Sequence, residues 1–203
     1  MSGDRELLAA WSAGDRRAGN QLFHRHFDAI FRFFHGKVSG GVDDLVQRTF
    51  LALVERADRL PADVEVRPYL FGIARNMLYR RLRELCRDGR HFDALETSVA
   101  DVAGSPSQIA DQREQLRLLH AALQAIPVDY QIVLELYFWE EMPAAEIAVV
   151  LELPEGTVRS RIRRAKELLR EALAARATPA ILESTIADLG AWALRLRDQV
   201  GRS

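Results

Sequence analysis

Apolar side chains return at steps of three and four along almost the whole of this chain, and hardly any stretch alternates in steps of two. That is the period of a helix face, so the chain is confined to folds in which amphipathic helices bury one stripe each against their neighbours. One stripe runs through Val42, Leu45, Val46, Phe50, Leu53 and Val54, and another through Leu70, Ile73, Ala74, Met77, Leu78, Leu82 and Leu85. Breaks fall at Gly14-Asp15, Gly36, Ser39-Gly40-Gly41, Leu60-Pro61, Ile126-Pro127 and Thr178-Pro179. Glycine and proline there are the usual chemistry of helix ends and turns. The pattern predicts helices over about 6–12, 17–35, 42–60, 68–85, 108–125, 129–140 and 144–151, then from about 156, with a helical tail after 179. In the segment 129–140, Ile132, Val133, Leu136 and Tyr137 are expected to face inward.

Between His91 and Ser107 the periodicity fades, and Gly104-Ser105-Pro106-Ser107 is loop chemistry. An all-α chain of two small helical domains, a flexible linker and a C-terminal helical extension follows. Its 203 residues and 48% apolar content are enough for two such cores. A single cysteine, Cys86, excludes an internal disulfide and a cysteine-based zinc site, and fits a reducing cytoplasm. His24 and His26 stand two apart, so on a helix they point in different directions, and neither a metal nor a cofactor is expected. The N-terminus lacks the apolar run of a signal peptide, and no stretch reaches the roughly 18 apolar residues of a membrane span.

The net charge of −1 hides a marked segregation. Arg67, Arg75, Arg80, Arg81, Arg83, Arg87 and Arg90 face only Glu84 and Asp88 in their stretch, and Arg159-Ser-Arg-Ile-Arg-Arg164 holds no acid. The intervening linker carries Asp93, Glu96, Asp101 and Asp111 without a single Lys or Arg. Nucleic acids respond to such local fields rather than to the sum. Residues 143–173 then read as a short helix with Ile147, Ala148 and Leu151 inward, the turn Glu152-Leu153-Pro154, and a longer basic helix with core positions Val158, Ile162, Ala165 and Leu169. That is helix-turn-helix patterning, in which the start of the second helix enters the major groove. Thr157, Arg159, Ser160, Arg163 and Arg164 fall on its open side, where arginine can grip guanine edges or phosphate.

The segment Pro154-Glu-Gly-Thr-Val-Arg-Ser-Arg-Ile-Arg-Arg-Ala-Lys166 resembles the recognition helix of extracytoplasmic-function sigma factors of the sigma-70 superfamily, as do Leu123-Gln-Ala-Ile-Pro127 and Ala145-Glu-Ile-Ala148 before it. Val42-Asp-Asp-Leu-Val-Gln-Arg-Thr-Phe50 is similar to that family's polymerase-binding helix, and Arg67-Pro-Tyr-Leu-Phe-Gly-Ile-Ala-Arg-Asn-Met77 to its −10-reading helix. Leu7 to Asp15 matches the family's usual opening. The resemblance implies region 2 over 1–90, an acidic linker over 91–112, region 4 over 113–176 and an amphipathic extension over 177–203. It implies a cytoplasmic, non-enzymatic specificity subunit that directs bacterial RNA polymerase to promoters. Implied partners are the polymerase core (largest-subunit clamp helices and flap), promoter DNA and an anti-sigma factor.

Carried over residue by residue, core-polymerase contact falls to Asp43, Asp44, Gln47 and Arg48, the last standing where relatives usually have Glu. Duplex −35 contact falls to Thr157, Arg159, Ser160, Arg163 and Arg164. Single-strand −10 contact falls to Arg59, Asp63, Tyr69, Arg75, Asn76, Tyr79, Arg80 and Arg83, since aromatic faces and a basic groove suit unpaired bases. Gly72 stands where an Arg is common. Tyr69 is equally suited to core packing, and the linker to plain tethering or to mimicry of nucleic acid. The tail stripe Leu182, Ile186, Leu189, Ala193, Leu196 and Val200 suits packing on the C-terminal domain or gating of activity. A helix-turn-helix regulator working without polymerase is the alternative function; it leaves the first domain unused. An adaptor that has lost DNA binding is a further reading, and a helical enzyme lacks any convergent catalytic set.

Overall fold

The computed structural model describes residues 3–61, 63–86, 92–100 and 114–200. No strand occurs among them. The N-terminal domain consists of α1 (Asp4–Ser12), α2 (Arg16–Phe34), α3 (Val42–Glu55), a short 3-10 turn (Ala57–Arg59) and α4 (Val66–Leu85). The C-terminal domain consists of α5 (Glu114–Ala125), α6 (Val128–Phe138), α7 (Ala144–Leu151) and α8 (Glu155–Ala174), followed by α9 (Pro179–Ala187) and α10 (Leu189–Val200).

Local chemistry sets the helix ends. Asp15 caps α2 by accepting from the backbone N–H of Arg17 and Ala18 at 2.8 and 3.2 Å. Asp43 and Asp44 lie in the first turn of α3, at the positive end of its dipole. Helix α4 starts at Val66, two residues before Pro68, so the proline sits in the first turn, where its missing N–H leaves no bond unmade. Helix α3 ends at Glu55, short of Leu60-Pro61, because the 3-10 turn intervenes. Gly19 has a packing reason: a Cβ there would lie 2.6 Å from the Trp11 indole, which rests directly on α2.

The first core gathers Leu22, Ile30, Phe34, Val46, Phe50, Leu53, Leu70, Phe71, Leu78 and Leu82 from α2, α3 and α4. The second gathers Leu119, Ala122, Ile132, Leu136, Ile147, Val158, Ala165 and Leu173. Helix α4 packs directly on α7, so the two cores are contiguous. Helix α6 is caught between them and is buried on nearly all sides, including the polar residues Asp129, Gln131 and Glu135. Its one outward position corrects the sequence reading: Tyr137 is exposed, not inward, and its ring is covered by the Lys166 ammonium 4.8 Å from the centroid.

The described part of the linker is ordered. Val128 N–H donates to Thr97 O at 3.0 Å and Asp129 N–H to Ala94 O at 2.9 Å, and Val99 is fully buried. Residues 92–100 therefore cap the start of α6 rather than hang as a loose tether. Residues 101–113, with the expected helix start near Gln108 and the acids Asp101 and Asp111, lie outside the described residues, as do Arg87 and Arg90. The tail is a helix pair on the C-terminal domain, with Trp192, Ala193 and Leu196 buried and α10 against α5 and α6.

Candidate nucleic-acid interface

The turn between α7 and α8 is closed by Leu153 N–H donating to Ala148 O at 3.1 Å, with Glu152 in the left-handed region at φ 56°. Pro154 then precedes the first turn of α8 and accepts from Thr157 and Val158. Val158, Ile162, Ala165, Leu169 and Leu173 are buried on the inner side of α8. This fixes the rotation of the helix, and Thr157, Arg159, Ser160, Arg163 and Arg164 are all exposed on its outer side. Arg159 is 72% exposed and pairs with Glu155 at 2.6 Å, while Arg164 pairs with Glu167 at 3.2 Å and Glu171 at 3.3 Å. Such exposed pairs are screened by water and contribute little, so phosphate or a base edge can replace them. Ser160 Oγ donates to Gly156 O at 3.1 Å and anchors the first turn.

Arg161, in the middle of the same basic run, does something different. Its side chain is turned inward and pairs with Asp129 Oδ2 at 2.6 Å. No local signal marks it, since Arg163 adjoins the core residue Ile162 equally and is exposed.

The residues expected to handle a single strand divide into three groups. Arg59 and Asp63 are exposed on the loop after α3, which Arg5 holds by donating to Pro61 O at 2.8 Å and Val64 O at 2.5 Å. Tyr69 is half-buried and packs against the core, as its alternative reading held. On α4, Asn76, Arg80 and Arg83 are exposed, whereas Arg75 and Tyr79 are partly buried. The Arg75 guanidinium lies 4.8 Å from the Tyr79 ring centroid, its Nε donates to Tyr79 Oη at 3.1 Å, and its Nη1 donates to Val150 O of α7 at 3.3 Å. The Tyr79 hydroxyl donates to Asp129 Oδ1 of α6. Phe92 adds a ring 5.7 Å from Tyr79.

Asp43, Asp44, Gln47 and Arg48 are exposed along α3, with Arg48 Nε bonded to Asp44 at 2.9 Å one turn earlier. Asp44 and Arg48 border an open groove of about 520 Å³ between α3 and α4, lined also by Leu51, Met77, Arg80 and Arg81. Arg80 thus belongs as much to this groove as to the Arg75–Tyr79 face. Leu51 is 58% exposed at its wall, an apolar side chain without an internal reason to be there.

Several polar contacts that the sequence did not single out join the two domains. The Lys37 ammonium, fully buried, is held by Glu135, itself 3% exposed, and also donates to Phe33 O at 2.6 Å. Burial pushes the Lys37 ammonium down and the Glu135 carboxyl up, each opposed by the other's charge. Glu140 accepts from Arg67 at 2.8 Å and Arg32 at 3.2 Å, and Gln124 Nε2 donates to Gly36 O at 2.9 Å. Among the described residues there is no cluster of His, Cys, Asp and Glu able to hold a metal ion, and no helix long and apolar enough to cross a membrane.

Comparison with known proteins agrees with this geometry. Residues 22–87 match the family model "Sigma-70 region 2", and residues 116–169 match "Sigma-70, region 4". The chain is 33% identical over 172 residues to the ECF RNA polymerase sigma factor SigM of Mycobacterium tuberculosis, covering 84% of each chain. It is 28% identical over 175 residues to the ECF RNA polymerase sigma-E factor of Escherichia coli K12, covering 82% of this chain and 92% of that one. Among solved structures it is similar to CnrH in complex with the cytosolic domain of CnrY, with TM-score 0.63, 30% identity, and coverage of 87% of this chain and 100% of CnrH. The sigma factor RpoE of Bartonella quintana, solved with the anti-sigma factor NepR, shares the fold with TM-score 0.56 at 22% identity, over 78% of this chain and 98% of that one. Two helical domains matched in order, and a close relative aligned over most of both chains, make this chain a member of the extracytoplasmic-function group of sigma-70 RNA polymerase sigma factors.

Proposed function

We infer that this protein gives bacterial RNA polymerase its promoter specificity and initiates transcription from one class of promoters, with region 2 over 1–90, the linker over 91–112, region 4 over 113–176 and the extension over 177–203. In this role it binds and opens DNA while the polymerase carries out synthesis, in the cytoplasm where the polymerase works. The observation that carries the reading is the open side of α8. Five polar or cationic side chains stand in solvent at the start of a helix whose opposite side is locked into a core. Membership of the family over both domains leaves no place for a helix-turn-helix regulator acting without the polymerase.

In this assignment Thr157, Arg159, Ser160, Arg163 and Arg164 engage the duplex −35 element. Arg59, Asp63, Tyr69, Arg75, Asn76, Tyr79, Arg80 and Arg83 serve the melted −10 strand. Asp43, Asp44, Gln47 and Arg48 meet the polymerase clamp, beside the apolar Leu51. CnrH and the Bartonella RpoE are described in complex with partner proteins, which supports an inhibitory protein partner for this chain too.

Run-off transcription with core polymerase on genomic fragments tests the reading. Discrete starts that require the factor and share paired upstream elements are expected. No complex on co-purification, or starts unchanged by the factor, would overturn it. Within that assay Arg163→Ala should weaken promoter binding by roughly 1–3 kcal/mol if the arginine reads a base, with relaxed preference at one position. A uniform loss across promoter sequences, with a shallower salt dependence, assigns it to phosphate instead.

A further inference from the structure

The loop between α3 and α4 is fastened at its two ends by burial, with Leu60 buried before it and Val66 fully buried after it. Between them Pro61, Asp63 and Glu65 are exposed and Val64 is half-buried, so packing does little to fix the middle of the loop. Polar contacts do that instead. Val64 N–H donates to Pro61 O at 3.1 Å and closes the turn that holds Asp63. The Arg5 guanidinium comes across from α1 and donates through one nitrogen, Nη2, to Pro61 O at 2.8 Å and to Val64 O at 2.5 Å. These two carbonyls stand on either side of Asp63 in the chain, so one charged group bridges the turn that carries it. Such charge-assisted bonds are roughly twice as strong as neutral ones.

Arg5 is itself held in place. Helix α1 lies against α2, α3 and the 3-10 turn, with Leu7 and Leu8 buried. Its first residue, Asp4, is anchored on α2 by Arg25 and by His26 Nε2, the latter at 2.6 Å. Arg5 stands 56 and 59 residues before its two acceptors, so α1 braces the loop from outside rather than as a neighbour along the chain.

We propose that Arg5 is a positioning residue for −10 recognition, setting the shape of the loop 59–65 and with it the placement of Arg59 and Asp63 against the unpaired strand. The proposal deepens the assignment of Arg59 and Asp63 to that strand and rests on it. A base is told from its alternatives only by groups held within about 0.5 Å of the productive geometry. Without the bridge, Arg59 and Asp63 are present but misplaced. The loss therefore falls on choice among bases and not on the general attraction to phosphate.

The test uses the full chain joined to core polymerase, on one promoter recovered by the run-off assay and on its single-base variants across the −10 element. Arg5→Ala should lower the preference for the parent base by about fivefold or more within the −10 element, with −35 preference unchanged. Its salt dependence of binding should match the parent's; a slope shallower by about one charge would make Arg5 a phosphate contact and overturn the proposal. Arg5→Lys keeps a cationic donor and should restore part of the preference, whereas Arg5→Met keeps the bulk and should not. Asp4→Ala leaves Arg5 in place but loosens α1 from α2, and should relax the same base choices. With Arg59 and Asp63 both replaced by alanine, Arg5→Ala should alter base preference no further, as expected of groups that act through one another. If Arg5→Ala lowers the melting temperature and leaves every preference intact, its role is structural and the proposal is overturned, while the loop assignment stands as long as Arg59→Ala with Asp63→Ala shifts −10 preference. If that double variant shifts none, the assignment fails, and the proposal fails with it.

Discussion

Glu152 shows how one residue can sit against its own preference. It ends α7 at φ 56°, a conformation that costs a residue with a Cβ roughly 1–2 kcal/mol and costs glycine almost nothing. No fold-level contact requires the glutamate, so Glu152→Gly should raise stability by up to about 1 kcal/mol, after the added freedom of the unfolded chain is offset. Thermal or urea unfolding of the two proteins checks this, with unchanged promoter recognition expected. His120 makes a different point. Burial, the neighbouring His35 imidazole and the Lys37 ammonium lower its pKa to about 4, and burial and Lys37 lower that of His35 as well. Both sit against the domain junction around Gly36. A histidine whose pKa is depressed in the closed form contributes stability above its unperturbed value near 6.5, and that contribution is lost as pH falls from there toward 4. Closure should therefore weaken on acidification through this window. A His120→Asn variant, followed by energy transfer between the domains, should show a flatter profile; identical profiles would exclude His120 as the source.

At the scale of the helix, most of what is seen here could be read from periodicity, and the failures have physical causes. The stripes of α3 and α4 mark buried faces correctly, because each stripe lies against the N-terminal core. Helix α6 defeats the same logic. It is enclosed from both sides, so its polar residues are buried with the apolar ones, and Tyr137, which falls on the apolar stripe, is the one turned outward. A stripe can tell which face is apolar but not that a second domain will cover the other. The same blindness explains the candidate site. The exposure of the α8 residues follows from Val158 and Ile162 alone, whereas the burial of Lys37, the inward turn of Arg161 and the covering of Arg75 and Tyr79 depend on partners about a hundred positions away or fewer, which no local pattern encodes. Arg161 and Arg159 give a direct contrast on one helix. Arg161→Ala removes the partner of a mostly buried Asp129 and should cost about 1–3 kcal/mol in stability. Arg159→Ala should leave unfolding unchanged within about 0.5 kcal/mol and act on promoter binding instead. Paired denaturation and binding measurements separate the two.

Taken whole, the molecule is two helical units joined by a junction that buries the Lys37–Glu135 pair as completely as the hydrophobic residues around it. Such a junction is sensitive to unbalanced change and tolerant of balanced change. Replacing both members of the Lys37–Glu135 pair with apolar residues, as in Lys37→Met with Glu135→Leu, should leave the domains together or bring them closer, although Lys37→Met alone parts them. Energy transfer across the junction measures both, and a double variant as open as the single one would contradict this account of the charges. The α9–α10 pair contributes nothing to the junction in these terms: it rests on α5, α6 and α8, with Arg197 donating to Trp139 O at 3.0 Å. Ending the chain at Ala177 should lower the stability of the C-terminal domain while leaving domain closure intact.

The placement of Lys37 carries a genetic consequence. Because its charge is matched only when the two halves touch, any lesion that removes it spares both halves individually. A screen for changes that part the two halves without unfolding either should therefore enrich positions 37, 135 and 140.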